Sequence, residues 1–299
     1  MPDEENVKQQ YAQGKENGKT VEPAVPEDLL QAARRFTDTA GITICRFSGE
    51  GWDRKGIPGD GDFYLSPQEQ AMVDAVTSAF PRVAVVLDVG GMVDSAWFKD
   101  NDRIQSVLLA WQAGIEGGLA VADILCGDVN PSGKLPYVVP VSEEDLPHVD
   151  WEATDQYYEY YHGYTRLEKN GVKPLVPYGF GLSYTTFEIT APEAKVEGDN
   201  LVVTANVKNT GKMDGDEVVQ LYVGFENSAV DRPVKQLRGF QRISLKAGEE
   251  KKVTVSTPLE KLKWYNPVYR EWQLEHVEHS VYVGSSSASE DLVKTSIVL

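Results

Sequence analysis

Residues 82–89 read Arg-Val-Ala-Val-Val-Leu-Asp-Val, with apolar side chains at adjacent positions. A strand with one wet face alternates, so a run like this is buried on both faces, as strands are in helix-covered parallel sheets. The flanking segments agree. Pro26-Glu-Asp opens a helix through Phe36, with acidic residues where the helix dipole favours them. Gly41-Ile-Thr-Ile-Cys-Arg-Phe47 is a short β-branched strand. Ser66-Pro-Gln-Glu69 combines an N-cap, a proline at the first helical position and a capping-box glutamate. Ser106–Trp111 reads as a third strand and Ile115–Cys126 as a third helix stopped by Gly127. This alternation predicts an α/β sandwich domain, mostly parallel sheet with helices on both faces. Residues 1–25 are polar and read as irregular.

After residue 130 the pattern changes. Pro, Gly and Tyr dominate through Tyr184, a connector with little helical period. Short alternating strands follow: 201–207, 217–223, 252–256 and 279–283, separated by turn clusters such as Asn209-Thr-Gly211 and Ala247-Gly248. That spacing predicts an all-β sandwich of immunoglobulin or fibronectin type III kind. The expected domains are 1–187, including the connector 130–187, and 188–299.

The net charge of −17 argues against binding a phosphate backbone or an anionic membrane, so a neutral or small partner is expected. No apolar run approaches the roughly 18 residues that span a bilayer. The start, Met-Pro-Asp-Glu-Glu-Asn, lacks the basic and apolar regions of a signal peptide. A cytoplasmic chain is expected, unless an upstream segment is missing. Cys45 and Cys126 stand in apolar contexts without metal spacing and read as buried free thiols. His148, His162, His276 and His279 form no ligand cluster, and the last two read as surface residues. No metal and no cofactor are expected. Trp97 and Trp111 follow apolar runs and read as core, and tyrosines 157, 158, 160, 161 and 164 as packing between domains.

One segment carries candidate chemistry. Residues 48–54 are Ser-Gly-Glu-Gly-Trp-Asp-Arg, directly after the 41–47 strand. Flanking glycines let Glu50 be carried out from the strand end, and ligands of open α/β sheets bind beyond such ends. Glu50 is therefore either a solvated loop acid or a general acid/base. Trp52 offers a ring face to a sugar or to a neighbouring domain. Asp53 and Arg54 either steady the loop or contact a substrate.

Longer stretches carry a resemblance. Trp111-Gln-Ala-Gly-Ile-Glu-Gly-Gly118, Ala122 through Pro136 with Asp128-Val-Asn-Pro-Ser-Gly133, Val176-Pro-Tyr-Gly-Phe-Gly-Leu-Ser-Tyr-Thr-Thr-Phe187, Val207-Lys-Asn-Thr-Gly211 and Tyr282-Val-Gly-Ser-Ser-Ser287 resemble, in order, glycoside hydrolase family 3, the β-glucosidases and β-xylosidases. Read from their residues alone, these motifs serve packing and loop geometry; Gly114 and Gly117-Gly118 are expected to let a helix start lie close to the sheet.

The resemblance covers about residue 26 to 299 and implies a retaining, exo-acting glycosidase, most simply a β-glucosidase, with Glu50 as general acid/base. Retaining enzymes hold their two carboxylates about 5–5.5 Å apart. In the family the second, an aspartate nucleophile, comes from an N-terminal barrel domain. No segment here matches that barrel or the opening of the sandwich, and Asp88, Asp94 and Asp123 receive no such role. The expected partners are a β-glucoside or oligosaccharide and a barrel domain or chain, with self-association allowed. The competing expectation is a non-catalytic scaffold that binds sugar or protein.

Overall fold

The computed structural model describes residues 4–14, 21–47, 54–148 and 153–299. They form two compact units, Met1–Asp123 and Ile124–Leu299.

The first unit opens with helix α1, Glu4–Ala12, where irregular chain was expected. Side-chain amides explain it: Gln9 Nε2 donates to Glu5 Oε1 at 3.3 Å and Gln10 Nε2 to Asn6 Oδ1 at 2.6 Å, both at i,i+4 spacing. Helix α2 (Glu27–Phe36), strand β1 (Thr39–Arg46), helix α3 (Pro67–Ala79), strand β2 (Arg82–Val89), the single turn α4 (Ala96–Lys99) and strand β3 (Ile104–Leu109) follow, and helix α5 (Gly117–Cys126) runs across the boundary into the second unit. The three strands lie in order β1-β2-β3 and all pair parallel. Leu30 of α2 and Val73 of α3 join Ile42, Ile44, Val83, Val85, Leu87 and Val89 in one apolar cluster. The capping box of α3 is present, Ser66 Oγ accepting from Glu69 N and Glu69 Oε2 from Ser66 N.

Period-2 alternation corrects two expectations here. Ile42, Ile44 and Arg46 point inward, so Cys45 lies on the opposite, exposed face; Cys126, at the end of α5, is also exposed, and both thiols are free. Trp97 does pack against the cluster. Trp111 does not join the core: it stands just past β3 with φ +55° and 36% of its surface exposed, because the strand's alternation has ended. In α5 only Gly117 is buried, and Gly118 has open space around its Cα, so that pair makes no close approach to the sheet among the described residues.

The second unit holds helix α6 (Gly163–Asn170), within the connector, and then β4 (Phe187–Glu197), β5 (Asn200–Asn209), β6 (Gly215–Phe225), β7 (Gln236–Leu245), β8 (Glu250–Pro258), β9 (Trp264–Asn266), β10 (Glu271–Gln273), β11 (Glu278–Gly284) and β12 (Leu292–Val298). One sheet runs β12-β11-β6-β7, the other β4-β5-β8, and β9 and β10 form a separate hairpin; every pairing is antiparallel. Leu201, Val203, Ala205 and Val207 of β5 meet Val219, Leu221 and Val223 of β6 and Val281 and Val283 of β11 in the core.

His279 corrects another expectation. It is fully buried, its ring 4.8 Å from that of Phe225 and its Nδ1 2.8 Å from the Val277 carbonyl oxygen. Among the connector tyrosines, Tyr161 and Tyr164 pack within this unit, while Tyr157, Tyr158 and Tyr160 are exposed.

Side-chain amides tie the connector to itself and to the sandwich. Asn130 Oδ1 accepts from Ser183 Oγ at 2.9 Å and Tyr184 N at 2.8 Å. Buried Asn209 accepts from Thr185 Oγ1 at 2.7 Å and donates to the Met213 carbonyl at 2.8 Å. Gln220 Nε2 donates to the carbonyls of Gly179 (2.9 Å) and Ser285 (2.5 Å). Gly179 has φ +77°, and a Cβ there would stand 2.1 Å from Gln220 Oε1, so backbone and space both demand glycine.

Candidate active-site loop

The carboxyl ends of three parallel strands, Arg46, Val89 and Leu109, emerge at one edge of the sheet. That edge is where α/β folds place ligands. Because Arg46 falls in register with Ile42 and Ile44, it carries a guanidinium into the buried face, where a charge must be paired. Its partner is Glu69, at 2.7 Å from Nη1 and 3.0 Å from Nη2, a two-point contact with side chains only 4% and 16% exposed. Glu69 thus does two jobs, capping α3 and neutralising Arg46. The remaining donors of Arg46 go to main-chain oxygens, Nε to Asp62 at 2.7 Å and Nη1 to Cys45 at 2.7 Å.

Arg54 reaches the same point. Its Nη2 donates to the carbonyls of Asp62 and Met92, both at 2.9 Å. The Asp62 carbonyl therefore accepts from Arg46 and Arg54, which bracket residues 48–53. The Asp62 carboxylate accepts from Lys55 N at 3.3 Å, and Phe63 N donates back to Lys55 O at 3.3 Å. The next loop is tied in as well, since Asp94 N donates to Phe63 O at 2.8 Å. Gly90 and Gly91 keep the exit of β2 bare: a Cβ on Gly90 would stand 3.0 Å from Gln112 Cδ, and one on Gly91 3.3 Å from Arg54 Nη1.

Of the residues singled out from the sequence, Glu50, Trp52 and Asp53 lie outside the described residues. Arg54 lies in the clamp, half-buried and engaged with backbone. The clamp residues Arg46, Asp62 and Glu69 were not anticipated, although a charge on the inward register of β1 signals one. Among the described residues no three His, Cys, Asp or Glu side chains gather as a metal site, and no helix is long and apolar enough to cross a membrane.

The family model described as Glycosyl hydrolase family 3 C-terminal domain matches residues 8–184, and that described as Fibronectin type III-like domain matches residues 217–287. Beta-glucosidase A of Butyrivibrio fibrisolvens is 40% identical over 95% of this chain and 40% of its own length. Thermostable beta-glucosidase B of Acetivibrio thermocellus is 34% identical over 88% of this chain and 36% of its own. The structure of beta-glucosidase 3B from Thermotoga neapolitana superposes with a TM-score of 0.85 and 32% identity, over 99% of this chain and 43% of that one. The chain spans about two-fifths of the length of these relatives. Matched by the C-terminal-domain model over more than half its length, the chain belongs to glycoside hydrolase family 3.

Proposed function

We propose that this chain supplies the general acid/base, Glu50, to a retaining β-glucoside-cleaving site completed by a barrel domain that carries an aspartate nucleophile. The supporting observation is the double anchoring of Arg46 and Arg54 on the Asp62 carbonyl, at the carboxyl ends of parallel strands. A proton donor has to sit within hydrogen-bond reach of the leaving oxygen, so the loop bearing it needs fixed ends. Arg54 serves here as a loop anchor, and Trp52 and Asp53 follow the acid after Gly51.

In the first step Glu50 protonates the glycosidic oxygen while the aspartate attacks the anomeric carbon, giving a glycosyl-enzyme and a free alcohol. In the second, the Glu50 carboxylate takes a proton from water, whose oxygen displaces the aspartate. The relatives' printed names, beta-glucosidases, point to a glucoside as substrate. The chain alone is expected to have little activity.

The test is Glu50→Ala in the assembled enzyme, with barrel and chain together. Activated aryl glycosides need little protonation, so the loss should be large on cellobiose and smaller on a dinitrophenyl glucoside. Azide should partly rescue the latter by replacing base-assisted water. Equal losses on both substrates, with no azide effect, would leave Glu50 without this role and favour a scaffold.

A further inference from the structure

The second unit carries a groove of about 710 Å³ that lies outside the loop described above. Its size falls within the range of small-molecule and cofactor sites. Tyr265 and Trp272 stand on one side, directly paired across β9 and β10, with ring centroids 5.6 Å apart and planes at 64°. Both rings are exposed, Tyr265 at 47% and Trp272 at 61%, and exposed Tyr160 adds a third aromatic.

The hairpin that presents the pair is held in place. Asn266 is buried; its Nδ2 donates to Gln273 Oε1 at 2.9 Å, and its Oδ1 accepts from Val268 N at 3.0 Å and Tyr269 N at 3.3 Å. Rings fixed in this way lose little freedom when something stacks on them.

The polar lining has both signs. Arg238 donates to Gln236 Oε1, and no carboxylate pairs with it among the described residues. Arg238 Nε and Trp264 Nε1 are buried N–H groups without an acceptor among the described residues. Asp231 adds acceptor oxygens at the rim. Unpaired buried donors are uncommon enough to need a reason.

Ring faces beside mixed donors and acceptors suit a neutral ligand whose hydroxyls both give and accept hydrogen bonds. Arg232, Lys261, Lys263 and Glu260 complete the charged lining, and Arg232 is neutralised by Glu275 at 2.7 Å. In a β-linked glucan the glycosidic oxygens as well as the ring hydroxyls are equatorial, which leaves C–H groups on both faces to lie against aromatic rings, whereas the axial glycosidic oxygen of an α-linked glucan obstructs one face. We propose that this groove, lined wholly by residues of the second unit, is a binding site for a β-linked glucan chain. The proposal goes beyond the acid/base reading and does not depend on it.

The experiment uses the 299-residue chain in native gels containing barley mixed-linkage β-glucan or pullulan, with cellohexaose titrations by calorimetry. The wild type should be retarded by β-glucan and not by pullulan. Trp272→Ala should weaken cellohexaose binding at least tenfold and Tyr265→Ala several-fold, as loss of an aromatic anchor does elsewhere. Trp272→Phe should keep most of the binding, and unchanged melting temperatures would show that the variants fold. Glu50→Gln should bind as the wild type does, which separates this groove from the acid/base loop.

No retardation of the wild type overturns the proposal. So does binding that survives both aromatic variants, or binding lost in Glu50→Gln. Self-association abolished by Trp272→Ala, without glucan binding, would make the hairpin a protein contact instead and would equally overturn it.

Discussion

The Arg46–Glu69 pair should dominate the stability of the first unit's ligand-side edge, and Glu69→Gln is the substitution that isolates it. The side chain keeps its shape, but three contacts to its two oxygens have to be shared by a single acceptor: Arg46 Nη1, Arg46 Nη2 and Ser66 N. A guanidinium whose side chain is 4% exposed is then left without its counter-charge. Breaking a buried pair in this way costs about 3–5 kcal/mol. Ser66→Ala removes only the cap bond and should cost about 1 kcal/mol.

Hydrogen exchange followed by mass spectrometry on peptides covering Thr39–Arg46 reads this unit separately from the sandwich. Protection should fall roughly a hundred- to several-thousand-fold in Glu69→Gln, against about fivefold in Ser66→Ala, at ~1.4 kcal/mol per decade. The double change Arg46→Met with Glu69→Leu should be milder than Glu69→Gln, because no charge is left buried. Similar protection in Glu69→Gln and Ser66→Ala would refute the reasoning and reduce Glu69 to a cap.

Three further outcomes concern the sandwich. Burial holds the His279 imidazole below its ordinary pKa, so the unfolded chain binds the proton more readily. Stability should therefore be full above about pH 6.5 and fall on acidification, by at most ~2 kcal/mol down to pH 5; urea melts of wild type and His279→Gln at both pH values check the difference. Burial pushes Tyr164 up to about 12, and its oxygen accepts from Leu237 N at 2.9 Å. The neutral phenol is thus favoured on folding, and this contribution should be lost as pH rises above about 10; a phenolate absorbance titration of Tyr164→Phe against wild type should lack one late-titrating group. Gly179→Ala should destabilise the sandwich by about 2–4 kcal/mol, through left-handed strain and the clash with Gln220, as thermal or urea unfolding would show.

The fold was legible where one face of an element is buried. Strands β5, β6, β8 and β11 alternate or run apolar, and they were found. The missed strands β4, β7, β9, β10 and β12 all lie at sheet edges; β8 is an edge strand too, but its clean alternation at Val253 and Val255 made it legible. Edge strands have one unpaired side, so they tolerate what central strands exclude: Pro192 and a register shift between Thr190 and Glu193 in β4, and Arg238, Gln241 and Arg242 in β7. His279 was misread for a local reason. Its spacing to His276 suggested nothing, but its register with Val281 and Val283 places it on the core face. The clamp was half legible: the inward register of Arg46 announces a partner, while its being Glu69 depends on a helix 23 residues away in sequence.

The residues that identify the family and those proposed for chemistry are physically different in kind. The stretches around Asn130, Gly179, Asn209 and Ser285 meet through side-chain amides, each of which satisfies two or more groups at once. An amide buried between main-chain groups leaves little freedom, because replacing it strands several partners together. Long, ordered motifs are the natural record of such a lock, and they say nothing about bond cleavage. An acid/base needs only one carboxyl, a loop that permits its position and firm ends to that loop. In this chain those demands are spread over Arg46, Arg54, Asp62 and Glu69, which share no sequence motif and converge on one carbonyl and one carboxylate. The segment 48–53 is accordingly recognisable by its own letters, the glycine-flanked Glu50, whereas the charges that bracket it become visible only in the fold.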